Sequence, residues 1–453
     1  MALAVAIPIM IQNGITNFVA MLDNIMVGSV GTVEMTGVSI ANTLLFVLNL
    51  SFFGAISGAG IFGAQFYGKG DHDGVRYSFR YKIWICTGLA VVGCAAFLIF
   101  GDSLIRTYLR GKGELENIEA SLAFGKSYLF LMLLGIPPFI LQQCYAGTLR
   151  ESGKTMLPMV AGLIAVAVNL FGNWVLIFGN LGMPRLGTNG AAIATVISRY
   201  VEAAIIMVWT HAHPKEMPYF KGVWKSLRVP GELARRITIK SLPMLANEAL
   251  WAFSQAFLVQ CYSVRGYDVV SAININTALE QVLNVAVITM GVSIGIIVGQ
   301  QLGAGEIEKA RDTDRKLIVF AMGVSLLAGG ILAAVSGVFP RIYNTTDEIR
   351  KLATGLLLIS ALYMPINGYA SSAYFTLRSG GKTYVTFLFD SVYACLVVSP
   401  IAFVLSRFTD LPILPLFFVC HMLELGKCVI GFFMIRSGVW AQNIVKDELP
   451  HEA

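Results

Sequence analysis

The chain has 453 residues, of which 56% are hydrophobic and only 13% charged. A soluble domain carries about 25% charged residues, so this composition excludes an ordinary soluble globular protein. The net charge of +6 is concentrated in loops, so it is read as membrane topology and not as a nucleic-acid-binding surface.

Apolar stretches recur along the chain at about 2–27, 35–66, 77–100, 119–147, 155–178, 188–211, 236–263, 269–302, 315–337, 348–376, 383–405 and 412–436. Each is long enough to cross a bilayer as a helix of roughly 20 residues. The first begins without a basic n-region or a small-residue cleavage site, so no removable signal peptide is expected. It also carries Asp23, inside "MLDNIMVG". A charge at that depth costs roughly 2.5 to 3.5 kcal/mol on insertion scales, which marks the residue as a functional candidate. The alternative is a helix cap or cross-link.

Twelve spans put both termini on one side. Loops on that side hold 21 of the basic residues and the opposite loops hold 10, counting Arg80 and Lys82 with the first set and Arg110 and Lys112 with the second. The positive-inside rule then makes both termini cytoplasmic, as in a multi-pass protein of the plasma (inner) membrane. Arg199 and Lys427 lie inside spans. Each has a glutamate three residues away, Glu202 and Glu424, and both are read as structural i, i+3 pairs.

The chain repeats itself. "QFYGKGD" at 65–71 returns as "QQLGAGE" at 300–306, and "TLRESGKT" at 148–155 returns as "TLRSGGKT" at 376–383. Pro8 and Pro243 are 235 apart, and Pro137 and Pro365 each lie eleven residues before their TLR. Six spans per copy is an even number, so both copies share one orientation: a parallel repeat. The expected fold class is therefore an all-α integral membrane protein with twelve transmembrane helices in two parallel six-helix repeats. The N-lobe covers 1–211 and a basic cytoplasmic linker 212–235. The C-lobe covers 236–453 and ends in a short C-terminal tail. His211 and His213 fall to the linker. The four prolines are expected to interrupt their helices, with kinks that can bend or straighten.

Polar residues within the first repeat fall at one depth. Asp23 lies five residues before Gly28, roughly 7 Å below the outer end of its span. Asn169 and Asn173, four apart and so on one helix face, reach the same depth in the fifth span. Thr195 reaches it in the sixth. Carboxylate, amides and hydroxyl offer oxygen ligands to a hard cation, and a desolvated acid is suited to proton exchange. No soft ligand set for a transition metal is present. In the second repeat Glu248, Glu280 and Asp390 are secondary candidates. The seven cysteines all lie in apolar segments without a CxxC pair and read as packing residues.

Enzyme signatures are absent or out of context. "GAGIFG" at 58–63 and "GVSIG" at 291–295 match phosphate-loop and nucleophile-elbow patterns but lie within apolar helices. There is neither a Walker A sequence nor HExxH. No cofactor is expected.

The combination of "PIMIQNGITNFVAMLDNIMVG", "GAQFYGKGD", "GTLRESGKT" and "NLFGN", with a second copy of the set, resembles the MATE family, the multidrug and toxic compound extrusion transporters. The resemblance covers essentially the whole chain. It implies twelve helices in two lobes and export of small amphipathic, often cationic organic compounds by antiport with protons or sodium. It assigns Asp23, Asn169, Asn173 and Thr195 to the family's N-lobe cation or proton site, and likens Glu248 to the seventh-helix glutamate of NorM-like members. Asn173 stands where some members have a second aspartate. Asn367 stands where NorM-like members have a tenth-helix aspartate, which points away from a sodium site in the C-lobe. The expected partners are the organic substrates and membrane lipids, with the protein a monomer. The rival readings are a flippase for lipid-linked precursors, which needs a strongly cationic cavity, and a passive channel.

Overall fold

The structure, a computed structural model, describes residues 2–109 and 115–446. Arg110, Lys112 and the tail beyond Lys446 lie outside the described residues. Among the described residues every regular element is helical. In chain order they are α1 (Ala2–Gly28), α2 (Thr32–Lys69), α3 (His72–Leu109), α4 (Leu115–Leu133), α5 (Ile136–Glu151), α6 (Met156–Phe178), α7 (Thr188–Ala212) and α8 (Gly231–Ser263). They continue with α9 (Tyr267–Gly303), α10 (Ile307–Val335), α11 (Asp347–Ser379), α12 (Thr383–Phe387), α13 (Ser399–Phe408), α14 (Ile413–Met422) and α15 (Glu424–Ser437). Among the described residues nine rods are long and apolar enough to cross a membrane, and α4 with α5 makes a tenth. The other two are α1 and α8. Along α8 the apolar run is interrupted by Asn247, Glu248, Gln255 and Gln260.

The expected fourth span, 119–147, is not one straight helix. It breaks between α4 and α5 with a 50° bend. Pro137 and Pro138 follow the break, where a proline fits the first turn of a new helix. The other three prolines interrupt nothing: Pro8, Pro243 and Pro365 sit inside continuous helices. Each removes only one backbone donor, and the ladder on either side carries the helix through. A different irregularity appears in the eleventh span, where two π-helical turns, Leu388–Val392 and Ala394–Val398, separate α12 from α13.

The repeated motifs are helix ends. In "TLRESGKT" the Gly153 amide donates to Arg150 O (2.9 Å) and Lys154 N to Leu149 O (2.8 Å). In "TLRSGGKT" Gly381 N donates to Arg378 O (2.9 Å) and Lys382 N to Leu377 O (3.3 Å). The other pair does the same: Gly70 N to Tyr67 O and Asp71 N to Phe66 O, then Gly305 N to Leu302 O and Glu306 N to Gln301 O. These are four Schellman caps, and each needs a residue at positive φ after the helix. The four glycines supply it, with φ from +73° to +80°.

By contacts the described chain divides into two compact units. One comprises residues 2–10, 64–71 and 236–446, the other 11–63, 72–109 and 115–235. In the first, the ends of α2 and α9 cross at backbone distance. A Cβ on Gly68 would collide with Gln300 O, and one on Gly303 with Gln65 O. The Gln65 amide then holds the C-terminal segment. Its Nε2 donates to Ser379 O (2.9 Å) and Gln442 O (3.1 Å), and its Oε1 accepts from Ile444 N (2.9 Å).

In the second unit α6 and α7 pack along each other through Val175, Leu176 and Ala194. The stretch 213–230 is a folded strap, with Met217, Tyr219, Phe220 and Val223 buried. Arg80 donates to Val223 O at 3.0 Å and Trp224 Nε1 to Tyr145 OH at 2.8 Å. Tyr145 OH also meets His211 Nε2 at 2.9 Å, which places His211 in the last turn of α7 and not in the linker. Arg80 and Lys82, assigned to a loop from the sequence, are fully buried within α3. Their charges are met inside the protein: Lys82 Nζ donates to both Glu151 oxygens (2.7 and 2.6 Å) and to Thr148 Oγ1 (3.0 Å).

The glycine crossing makes a sharp expectation. Gly303→Ala forces a methyl group into a carbonyl and should cost about 1–3 kcal/mol, read as a lowered melting temperature in detergent. Gly323→Ala, which points a methyl into open space, should leave the melting temperature unchanged.

Candidate functional site

Asp23 is carried by α1 five residues before the helix ends. Two turns of α6 face it with amides. Asn173 Nδ2 donates to Asp23 Oδ1 at 2.6 Å. Asn169 satisfies both ends of its amide with the nitrogen turned to Asp23, 3.0 and 3.1 Å from the two carboxylate oxygens, and the oxygen accepting from Thr195 Oγ1 at 3.1 Å. Four side chains from α1, α6 and α7 thus form one network. The i, i+4 spacing of the asparagines and the packing of α6 on α7 bring them together. Asn169 and Asn173 are 6% and 1% exposed, so both amides are buried in the protein.

One atom of the network is left over. Asn173 Oδ1 is buried and has no hydrogen-bond partner among the described residues. An unsatisfied buried acceptor costs about 1–3 kcal/mol. Here it belongs to the amide whose nitrogen holds the Asp23 carboxylate, so the site carries an oxygen ligand not yet in use.

The network opens on a cavity of about 380 Å³ within the second unit. Tyr128, Asn42, Arg199 and Glu202 also line it. None of these was assigned to the site from the sequence. Arg199 and Glu202 were read as a structural pair, and the structure corrects this. Glu202 accepts from Gln142 Nε2 at 2.9 Å, while Arg199 reaches the Gly135 carbonyl at 3.4 Å and lies over the Phe139 ring at 4.8 Å. Both side chains turn to α5 but to different partners, so no ion pair closes between them among the described residues. The signal was available in part: Thr195, Arg199 and Glu202 follow one helical face.

The candidates of the first unit are not brought together into one site. Glu280 Oε2 accepts from Asn276 (2.9 Å) and Ser360 (3.1 Å) and lines a separate cavity of about 470 Å³. Asp390, in a π-helical turn, is bound by Lys427 (2.8 Å) and Asn247 Nδ2 (3.2 Å). Lys427 also meets Glu424 at 3.0 Å, so the expected pair is a triad. Glu248 is half-buried beside Asn247 and forms no hydrogen bond with Glu280 or Asp390. Asn367 donates to Asn284 Oδ1 at 2.8 Å, an amide pair without a carboxylate. Among the described residues no three His, Cys, Asp or Glu side chains converge as metal ligands.

Paired helical repeats, a carboxylate caged by amides and an adjoining cavity define a polytopic membrane transporter. The MatE family profile matches residues 8–175 and 243–404, and the chain belongs to that family. Its members are transporters and not enzymes. The chain is 24% identical over 425 residues to the probable multidrug resistance protein NorM of Pasteurella multocida (strain Pm70), covering 90% of this chain and 86% of that one. It is 22% identical over 447 residues to the probable multidrug resistance protein NorM of Thermotoga maritima, covering 97% and 92%. Among solved structures, a MATE in complex with MaL6 superposes with a TM-score of 0.85 at 16% identity, over 96% of this chain and 95% of that one. A MATE in the bent conformation gives 0.84 at 16% identity over 96% and 95%. The protein thus has the twelve-helix, two-lobe fold of these transporters.

The Lys427 triad generates a stability prediction. Lys427→Met leaves two carboxylates inside the bundle without their cation and should cost about 3–5 kcal/mol. Lys316→Met removes an exposed pair with Asp312 and should cost less than about 1 kcal/mol. Thermal unfolding of the purified protein in detergent separates the two.

Proposed function

We propose that the protein is a secondary active multidrug exporter of the inner membrane, with both termini cytoplasmic, and that it extrudes small amphipathic organic compounds in exchange for an incoming proton or sodium ion at Asp23. The observation that carries the reading is the buried, partnerless Asn173 Oδ1 beside the amide-caged Asp23 carboxylate. The names of the NorM relatives point the same way.

Either coupling ion uses that oxygen. A sodium ion takes oxygen ligands, and the two carboxylate oxygens with Asn173 Oδ1 offer three. A proton converts one carboxylate oxygen from acceptor to donor. Asn173 then turns its amide over, presenting Oδ1 to the new O–H in place of Nδ2. In both cases the link between α1 and α6 changes its polarity when the ion arrives. That link is the element through which ion binding repacks α1. Exchange requires only that ion and substrate favour different packings; equal preference would shift nothing.

The test uses proteoliposomes in which a proton gradient and a sodium gradient are imposed separately. The wild type should export an amphipathic dye under one of them. Asp23→Asn should lower that coupled efflux at least about tenfold, the scale of losing one charged contact, and should leave the melting temperature within a few degrees. Wild-type efflux rates in Asp23→Asn under the same gradient would refute the assignment.

A further inference from the structure

The connection from α10 to α11, in the first unit, carries a concentration of charge that ion and substrate exchange does not use. Arg341, Arg350 and Lys351 line one cavity of about 390 Å³, and Asp347 is the only carboxylate among its lining residues. Arg350 is fixed in place: Nη1 donates to Asp347 Oδ1 at 2.9 Å and Nη2 to Tyr343 O at 3.2 Å. Its Nε is buried without a partner among the described residues. Arg341 and Lys351 are exposed, and their side chains form no hydrogen bond or ion pair among the described residues. Three cations against one carboxylate leave the cavity strongly positive, with two of the cations free.

The same connection is apolar beside its charges. A short 3-10 turn, Phe339–Ile342, follows α10. Val338, which precedes the turn, is 64% exposed and Ile342, which ends it, is 75% exposed. Both flanking helices are long and apolar enough to cross a membrane, so the turn lies where hydrocarbon gives way to headgroups. Aliphatic side chains next to cations at that level match the two halves of a phospholipid: apolar area takes the chains and positive charge attracts the anionic head. The charge is also on the less favoured side. Loops opposite the termini hold 10 basic residues against 21, and three of the ten fall between positions 341 and 351. The positive-inside rule disfavours that placement, and a local anion offsets it.

We infer that this cavity holds the headgroup of an anionic phospholipid such as phosphatidylglycerol, with the phosphodiester on Arg341 and Lys351 and the acyl chains passing Val338 and Ile342. The inference goes beyond the exporter reading and does not rest on it. Guanidinium and ammonium both donate charge-assisted hydrogen bonds to phosphate oxygens, and Arg350, already tied to Asp347, frames the site without having to move. A zwitterionic lipid brings its own cation and gains less from the same cavity. A free phosphate ion gains nothing from the aliphatic pair.

The test uses the full chain purified in detergent, with phosphatidylglycerol, phosphatidylcholine of the same acyl chains and inorganic phosphate added separately. Native mass spectrometry counts retained lipid, and thermal unfolding reads the stabilisation that binding confers. Wild-type protein should retain phosphatidylglycerol and melt higher with it than with phosphatidylcholine or phosphate. The double variant Arg341→Gln with Lys351→Gln, at two exposed positions, should weaken phosphatidylglycerol binding about tenfold or more. Lys309→Gln with Lys316→Gln removes the same charge from two exposed pairs at the other end of α10 and should leave that binding within about twofold. Val338→Ser with Ile342→Ser should weaken it while all three cations remain. Equal binding of the two lipids would overturn the inference, as would an unchanged affinity in the Arg341→Gln and Lys351→Gln protein. Stabilisation by inorganic phosphate as large as by phosphatidylglycerol would mark a plain anion site and overturn the lipid assignment.

Discussion

Hydrocarbon cannot solvate a charge, and that constraint organises the interior of this protein. Each ionisable side chain inside a span must find its partners within the protein. Lys82 finds Glu151 and Thr148, and Lys427 finds Asp390 and Glu424. Such groups fix which helices lie together, because removing one partner exposes the other to a medium that will not accept it. The groups that are not fully matched stand out for the same reason. Asn173 Oδ1, in the second unit, borders the cavity there, and Asp314 Oδ2, in the first, is left over beside the bond from Thr376.

Duplication preserved the backbone turns more strictly than the polar interior. Two Schellman caps occur in each copy, and each copy keeps both positive-φ glycines. The interior contacts have diverged around a common position. Gln12 and Asn247 are 235 residues apart, the offset of the repeat. Gln12 accepts from Arg150 at 2.8 Å, whereas Asn247 donates to Asp390 at 3.2 Å and accepts from Ser391 Oγ at 2.8 Å. A cap is set by backbone geometry that few residues satisfy, so its sequence stays readable. A polar contact can be rebuilt with other partners as long as every atom ends satisfied.

That difference accounts for what was legible in the sequence. The helices were, because a run of about 20 apolar residues is matched to the thickness of a bilayer and is longer than a soluble core requires. The repeat was, because the caps kept their glycines. The grouping of Asp23 with Asn169, Asn173 and Thr195 followed from depth along helices of fixed rise. The pairing of Arg199 with Glu202 did not survive, because spacing along one helix says only that two residues can meet. Both side chains turn instead to partners on α5, Gln142 for Glu202 and the Gly135 carbonyl with the Phe139 ring for Arg199, and the break before α5 shows in the sequence only as Pro137 and Pro138. The buried Arg80 and Lys82 were misplaced for a related reason. Charge near a helix end reads as loop, yet the 213–230 strap and Glu151 cover both. The π-helical turns around Asp390 had no sequence signature at all.

The unmatched atoms bear on how exchange can be driven. On the proposed reading, a site whose every polar atom was satisfied at rest would gain little from an ion, since each new contact would replace an old one of similar worth. A buried acceptor without a partner raises the free energy of the ion-free state alone. An arriving proton or sodium ion relieves that cost together with the isolation of the carboxylate. Coupling on this reading then needs only that the organic substrate favour the packing of α1 that the ion disfavours, so that each is held when the other has left.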